Sequence, residues 1–361
     1  MRKIAIIFCL ILPFTSYAQI PEDAVRYSWF TQSGTARSLA IGGAMGALGG
    51  DITATFVNPA GIGFYRTSEA VLSPNFSMNK ATTSYLNNNF KQNKNSFGIG
   101  TSGFAIARPN SDYNQKSSNA FSVAFSQNAN FNNTVAYSGL NNYNSFAEQF
   151  AEEFVRSKST IQNALNTNSI LPYTSAPALF TYLIDTVRVG ANLIVKAAPE
   201  YILDMGQAIK QEVTKATKGG LYELGFAYAG NDGEKWLWGA AIGIPIMNYE
   251  SNLTFKESDT SNNTSNNFKS FTYNDNYQTK GLGFNAKLGL IFRPKEYIRI
   301  GLAVHTPTYM SLKDTRQANL KTELENPIGS FETSSDQFTN GKKGEARYTQ
   351  NLPWKVMLSG S

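Results

Sequence analysis

His305 is the only histidine in the chain and the first residue to consider for catalysis. It shares one face of the strand-like segment 298–305 with Arg299, and Lys287 lies on the small-residue face of the segment before it. A catalytic histidine needs a nucleophile or an acid as its partner, and the sequence does not identify one. Two interpretations stay open. The three cations pair with groups of the N-terminal segment such as Asp51, or they meet an anionic headgroup such as a carboxylate.

Other chemical signatures point away from an enzyme. Gly98–Gly103 reads GIGTSG and matches the dinucleotide motif by letter, but it lies within a strand-like segment. A dinucleotide site needs that motif between a strand and a helix, with an acid about 20 residues further on. The chain has no H-E-x-x-H, Walker or G-x-S-x-G motif, and its single cysteine is Cys9. We therefore expect no catalytic residues, no cofactor and no metal site.

The first residues, MRKIAIIFCLILPFTSYAQ, have the pattern of a secretory signal peptide. Arg2 and Lys3 precede an apolar run too short to span a bilayer, and Ser16 and Ala18 are the small residues of a cleavage site before Gln19. We expect residues 1–18 to be removed. The exported chain then contains no cysteine and must be stable without disulfides.

The composition favours a membrane β-barrel over a soluble domain. Aromatic residues make up 13% of the chain and charged residues only 16%, whereas soluble proteins have about 25% charged residues. The net charge of +6 is too thinly spread over 361 residues to suggest nucleic-acid binding. No apolar run reaches the roughly 18 residues that a transmembrane helix needs. This combination is typical of an outer-membrane barrel, whose strands carry the apolar signal in alternation.

Alternation is the pattern of the strand-like segments. In residues 282–292 bulky apolar side chains occupy one face, and the other face carries Gly283, Asn285, Lys287 and Gly289. The same alternation occurs in residues 121–125, 221–229, 236–246 and 298–305. Single strands of a soluble sandwich look similar, but their second face meets water and carries more charge. We therefore predict an all-β fold, a transmembrane antiparallel β-barrel over residues 69–361.

Connections between these segments alternate in length, as long extracellular loops and short periplasmic turns do in such barrels. The longest, residues 130–219, is predicted to be a helical extracellular insert. Phe146, Phe150 and Phe154 recur at helical spacing, and residues 178–213 suggest two more helices. The three phenylalanines form an external lid in this interpretation. They line an apolar landing groove or pack together as a cap, and the sequence leaves both open.

Residues 19–68 are predicted to fold as a plug, here called the hatch, inside the barrel lumen. Glycines including Gly49 and Gly50 let the backbone pack in a narrow space next to Asp51. The following turn, Asn58-Pro59-Ala60-Gly61, is stiffened by the proline, and the Asn58 side chain can bond nearby backbone. We take these seven residues as candidates for holding or gating the hatch.

The run ARSLAIGGAMGALGGDITATFVNPAGIGFYR, with a signal peptide before it and alternating strands after it, resembles the FadL/TodX family of outer-membrane transporters, in its Bacteroidetes form. The resemblance implies a 14-stranded barrel with a hatch that passes hydrophobic small molecules such as long-chain fatty acids. About eight strands are seen here, and the chain looks truncated within the last of them. Lys287, Arg299 and His305 become candidate ligand contacts in the lumen. The alternative is a protein-binding barrel similar to PorV of type IX secretion, whose partners are secreted proteins or the secretion machinery.

Overall fold

The computed structural model describes residues 21–28, 31, 33–109, 117–189, 192–261, 263–325 and 327–361. The predicted signal peptide, residues 1–18, lies outside them. Antiparallel strands dominate the described chain, as the alternating sequence predicts. No helix in these ranges is both long and apolar enough to cross a membrane.

The main sheet has twelve strands. They are β1 (Glu69–Val71), β4 (Ser102–Pro109), β5 (Ser118–Asn130), β6 (Asn133–Asn141), β9 (Ile209–Asp232), β10 (Trp236–Asp259), β11 (Ser270–Lys295), β12 (Ile298–His305), β13 (Thr308–Glu323), β14 (Ser330–Ser334), β15 (Gly344–Leu352) and β16 (Lys355–Gly360). Two separate hairpins are β2 (Pro74–Tyr85) with β3 (Asn88–Ile99), and β7 (Ile184–Val189) with β8 (Asn192–Ala197).

Several strands are segments of one pass across the sheet. β11 pairs with both β12 and β13, which are separated at Thr306–Pro307, and β15 and β16 are separated at Pro353–Trp354. Proline has no N–H for the ladder, which accounts for both breaks. Because β5 and β6 likewise both pair with β9, the described strands form a meander of about eight passes, as the sequence predicts. The sheet ends at β1 and β16, so the described residues do not close a barrel.

The two faces of the sheet differ as predicted. On β11, Leu282 and Leu288 are 59% and 62% exposed on one face, while Ile291 is fully buried on the other. The exposed apolar side chains of β9–β12 form a continuous band, here called the belt. It comprises residues 222–228, 236–246, 282–292 and 298–304.

The hatch packs on the opposite, inward face of the sheet. Its elements are α1 (Pro21–Ser28), α2 (Ala36–Ala40), α3 (Met45–Leu48), α4 (Ala54–Val57) and a 3-10 helix (Pro59–Phe64). The 3-10 helix contacts β9, β10 and β11, and α3 contacts β12 and β16. The 3-10 helix and α3 therefore lie toward the end of the sheet where residues 233–235 form a short turn, here called the turn end. The helix α1 packs further from this end, where the Tyr27 hydroxyl is 2.7 Å from the Thr279 hydroxyl.

The opposite, insert end of the sheet carries residues 142–208, between β6 and β9. This insert is shorter than the predicted 130–219, because β6 and β9 of the main sheet occupy both flanks. The main sheet is here called the wall. Its helices are α5 (Glu148–Ser157), α6 (Ile161–Ala164), α7 (Ser175–Phe180) and α8 (Glu200–Asp204). Of the two further helices predicted in residues 178–213, the one before Pro199 is wrong, because β7 and β8 occupy most of its range. Valine, isoleucine and threonine are frequent there and favour strands. The one after Pro199 is present only as the short α8, and strand β9 begins at Ile209.

Candidate functional site

The most buried turn of the hatch begins at Asn58, whose side chain is inaccessible to solvent. Asn58 Oδ1 accepts a hydrogen bond from the Ala60 amide at 3.1 Å, and Nδ2 donates to the Gly46 carbonyl at 2.6 Å. The same Nδ2 lies 3.4 Å from the Leu290 carbonyl of β11 and 3.5 Å from the Leu302 carbonyl of β12. One side-chain amide thus closes the turn and connects it to both the hatch and the wall.

Glycines of the wall make room for this turn. A Cβ at Gly289 would lie 2.0 Å from Asn58 Oδ1, and a Cβ at Gly239 would lie 2.4 Å from the carbonyl carbon of Pro59. Neither distance is compatible with a side chain at those positions, because the atoms would overlap. The inward glycines therefore form a surface fitted to the hatch. The alternating pattern predicts that these glycines share this face, but it does not identify the hatch turn as their partner.

Glycines within the hatch pack backbone against backbone. Gly49 and Gly50 have φ of 60° and 67°, the left-handed region that favours glycine. The Gly50 amide donates to the Gly61 carbonyl at 2.9 Å, and a Cβ at Gly49 would lie 2.7 Å from the Gly61 Cα. These three residues hold the two halves of the hatch together at a distance that larger residues would prevent.

Asp51 is buried within the hatch, and its hydrogen bonds among the described residues go to hatch groups. It accepts hydrogen bonds from the Thr35 hydroxyl at 2.6 Å and from the Thr53 amide at 2.8 Å. Its partners therefore lie at the starts of α2 and α4. Asp51 itself is therefore not the hatch group that meets the wall cations, because its carboxylate already connects these two helices. Pairing of the cations with other hatch groups is found at Arg299 and His305.

Two of the three wall cations bond the backbone of the hatch. Arg299 Nη1 donates to the Leu48 carbonyl at 2.6 Å, and its guanidinium lies 4.5 Å from the centre of the Phe64 ring. His305 Nε2 lies 2.9 Å from the Val57 carbonyl, which can only accept. Leu48 and Val57 are the last residues of α3 and α4, where helix carbonyls lack partners within the helix. These side chains therefore position the hatch.

The third cation, Lys287, forms a buried ion pair with Glu223 of β9. Asn128 Nδ2 donates to the other Glu223 oxygen at 2.9 Å, and Lys287 Nζ donates to Asn285 Oδ1 at 2.8 Å. The pair spans β10 over Gly243, where a Cβ would lie 2.0 Å from the Glu223 carboxylate. The alternating pattern predicts that Glu223 and Asn285 lie on the small-residue face, but it does not identify them or Asn128 as site residues.

A cavity of about 280 Å³ lies beside this ion pair, between the hatch and the wall. The ion pair and both asparagines form its polar side, and His305 also lines it. Its apolar side includes Phe56, Pro245 and Met310. The cavity thus offers one hydrogen-bonding side and one apolar side to a small amphiphilic molecule.

A second cavity, of about 490 Å³, opens beside the wall where two strands separate. β4 pairs with β5 as far as Phe125, whereas the preceding strand β3 pairs with β2 alone. The cavity is lined by the apolar residues Leu39, Leu72 and Phe76 and by polar groups such as Gln127. It lies between the hatch and the start of the β2–β3 hairpin and is here called the side gap.

The predicted lid residues lie in the core of the insert. Phe150 and Phe154 are 1% and 6% exposed, and Phe146 stacks on Phe255 of β10 with ring centres 4.0 Å apart. Of the two interpretations left open, the structure supports a cap whose phenylalanines pack together. They do not line either cavity.

Glu257 of β10 connects the insert to the wall. Its carboxylate accepts hydrogen bonds from the Ser145 hydroxyl at 2.5 Å, the Phe146 amide at 2.7 Å and Gln211 Nε2 at 2.7 Å. Glu257 lies ten residues beyond Met247 and well outside the belt. Burial raises the pKa of this fully buried carboxyl to about 7.

The GIGTSG segment, Gly98–Gly103, lies across the junction of β3 and β4, and it is followed by a strand and not by a helix. Among the described residues no group of three histidine, cysteine, aspartate or glutamate side chains is placed to hold a metal ion. The chain matches no protein-family model and no curated protein.

Proposed function

We propose that this chain forms the wall and hatch of an outer-membrane β-barrel that passes hydrophobic small molecules, such as long-chain fatty acids. Closure of the barrel is part of the proposal. The observation that carries it is the belt on the outward face, with a fitted hatch on the inward face.

The belt has the height of a membrane. On β10 and β11 it extends over residues 236–246 and 282–292, which are directly paired. Ten steps of roughly 3.4 Å, tilted by about 40°, give a height of about 25 Å, the value typical of outer-membrane barrels. Beyond it the outward residues become polar, with Asn248 following Ile246 and Lys280 following Leu282. A sheet whose outward face met water along its whole length would not need this sharp change from apolar to polar residues.

Aromatic residues occupy both borders of the belt, as they do at the two interfaces of membrane barrels. At the turn end Trp236 stacks on Phe292 with ring centres 4.3 Å apart. At the insert end Phe125 stacks on Tyr222 at 5.5 Å. This arrangement supports a membrane position for the belt, with the turn end and the insert end on opposite sides of the membrane.

The hatch and the two cavities suggest how passage occurs. Asn58, Arg299 and His305 hold the hatch against the wall by hydrogen bonds, each of which can break and reform. A hydrophobic molecule in the 280 Å³ cavity contacts this boundary directly. The side gap gives such a molecule an apolar route past the wall, so that it does not need an open aqueous channel.

A protein-binding barrel is the second candidate. The folded insert favours it, because Phe150 and Phe154 are buried in a cap and offer no open groove for a small ligand. Capture of secreted proteins by the tagged full chain, lost when residues 142–208 are replaced by a short loop, would support this candidate over transport.

Uptake of a radiolabelled long-chain fatty acid tests the transport proposal. We expect a strain lacking the protein to lose uptake and a strain with the restored gene to regain it. A third strain expresses the chain without the hatch at an equal level. Comparing its uptake with that of the restored strain distinguishes passage gated by the hatch from passage through an open barrel. Unchanged uptake in the deletion strain, over several chain lengths, would contradict the proposal.

A further inference from the structure

A row of three cations crosses the outward face at the insert-end border of the belt. Lys280 of β11 lies directly opposite Lys313 of β13, and Lys313 lies directly opposite Arg347 of β15. Their neighbours Thr279 and Leu312 are buried on the inward face, which places the three cations outward. The row begins one outward position beyond Leu282, the last apolar residue of the belt on β11.

Like charges directly opposite each other destabilise a sheet. Two acids offset part of the charge: Glu345 pairs with Lys313 at 2.6 Å, and Glu250 pairs with the neighbouring cation Lys218 at 3.0 Å. In the described part of the chain Lys280 and Arg347 form no ion pair. Lys280 is still close enough to Glu250, and Arg347 to Glu345, to interact electrostatically. The four cations and two acids leave the border with a net charge of about +2, next to the surface that the proposed function assigns to the membrane.

A polar crevice lies directly above this row. Its volume is about 390 Å³, and most of its lining is polar: Asn252, Asn276, Gln278, Thr315 and Gln317, with the charged residues Glu250, Arg316 and Lys343. In the register of β11 and β13, Gln278 lies opposite Thr315, and both are two residues further from the belt than Lys280 and Lys313. Amide and hydroxyl groups of this kind hydrogen-bond the hydroxyls of a sugar.

We propose that Lys280, Lys313 and Arg347 bind the phosphate groups of a phosphorylated glycolipid in the adjacent bilayer leaflet, with its sugar in the amide-lined crevice. The position of the cations matches the depth of lipid phosphates, just outside the apolar belt. The acyl chains would lie along Leu282 and Tyr309, which are 59% and 58% exposed. The inference rests on the membrane position of the belt in the proposed function but not on transport.

The test compares lipid A, a bisphosphorylated acyl-glucosamine disaccharide, with its dephosphorylated form by native mass spectrometry of the full chain in detergent. We expect the triple variant Lys280→Gln, Lys313→Gln, Arg347→Gln to bind lipid A about 100-fold more weakly, since each cation near an anionic surface contributes roughly fivefold. A matched variant, Lys210→Gln, Lys256→Gln, Lys321→Gln, removes the same charge from the outward face far above the belt. We expect it to bind as wild type does.

Competition arms separate the sources of phosphate. Inorganic phosphate and phosphatidylglycerol vesicles should displace lipid A poorly, because neither supplies the sugar. Equal binding by the triple variant and the wild type would overturn the inference, as would equal competition by inorganic phosphate. If the wild-type chain instead fails to insert into any lipid bilayer, the membrane position itself is wrong, which is a different outcome.

Discussion

The Asn58 side chain lies against Gly289 of β11, so closely that a Cβ on this glycine would come within 2.0 Å of Asn58 Oδ1. Asn58 Nδ2 also reaches the carbonyl of the adjacent Leu290, 232 positions further along the chain. The contact joins the hatch to a wall strand at a point where neither has any spare space. Its geometry explains why both a small residue on the wall and an amide on the hatch are needed.

Gly289→Ala should displace the hatch turn, because the added methyl overlaps Asn58. Overpacking of this kind costs about 1–3 kcal/mol. The wall should still insert, since its strand pairing is unchanged, and we expect leakage of small polar solutes in planar-bilayer conductance. Gly360→Ala is the control, because the nearest atom to its added Cβ is 3.9 Å away. Equal conductance of both variants and wild type would show that the contact does not hold the hatch.

Phe226→Arg tests the membrane position of the belt. A cation on the lipid face near the midplane destabilises a membrane barrel by about 2–4 kcal/mol. Thr254→Arg is the control on the outward face of β10, well beyond the belt, and it should cost little. We expect urea unfolding from lipid vesicles to separate the two variants. Equal stability of both would mean that the outward face of β9 does not contact lipid.

Glu257 should make attachment of the insert depend on pH. Its pKa in the fold, about 7, lies above its ordinary value of 4.5. The folded state therefore binds the proton more tightly than the unfolded state. Attachment is strongest below pH 4.5 and weakens by about 3 kcal/mol as pH rises to 7, at roughly 1.4 kcal/mol per pKa unit.

Hydrogen exchange of the Phe146 amide, divided by its intrinsic rate at each pH, measures this change. That amide donates to the Glu257 carboxylate. Glu257→Gln keeps an acceptor oxygen but cannot titrate, so its protection should not vary with pH. A wild-type profile as flat as that of the variant would rule out Glu257 as the source.

Labelling of engineered cysteines tests the orientation. Cys9 is the only natural cysteine and lies in the predicted signal peptide, so background labelling should be low. Ser159→Cys lies in the insert and Lys235→Cys at the turn end, on opposite sides of the belt. We expect an impermeant maleimide added to whole cells to label the first and not the second. Reverse labelling would invert the topology and place the hatch on the outside.

Local patterns predicted the alternation of faces and the number of passes, because side chains alternate with period two along a strand. They also predicted a glycine-rich hatch around Gly49 and Gly50. The partners across the sheet were not predictable in this way. Glu223 and Lys287 lie on the predicted face, but their pairing depends on the register of three strands. The contact of Asn58 with Gly289 likewise depends on how the whole hatch docks.

The insert shows where periodicity misleads. Residues 184–189 and 192–197 are mainly apolar with no clear polar face, so helix and strand are hard to distinguish by pattern alone. Their β-branched content was the better signal. Phe150 and Phe154 gave the correct helical spacing for α5, whereas Phe146 lies just before this helix begins at Glu148. Spacing also does not reveal whether a helix faces a ligand or its own core.

The double variant Asn58→Ala, Pro59→Gly tests most directly whether the hatch controls passage. Losing the Asn58 side chain leaves buried backbone groups without partners, at a cost of about 1–3 kcal/mol, and glycine frees the φ that Pro59 fixes. Ile41→Ala, at an exposed hatch position, is the control. In proteoliposomes we expect normal insertion of the double variant, with altered uptake of labelled fatty acid or leakage of small polar solutes. Uptake and conductance both equal to wild type would contradict the account, because the turn would then be only a linker.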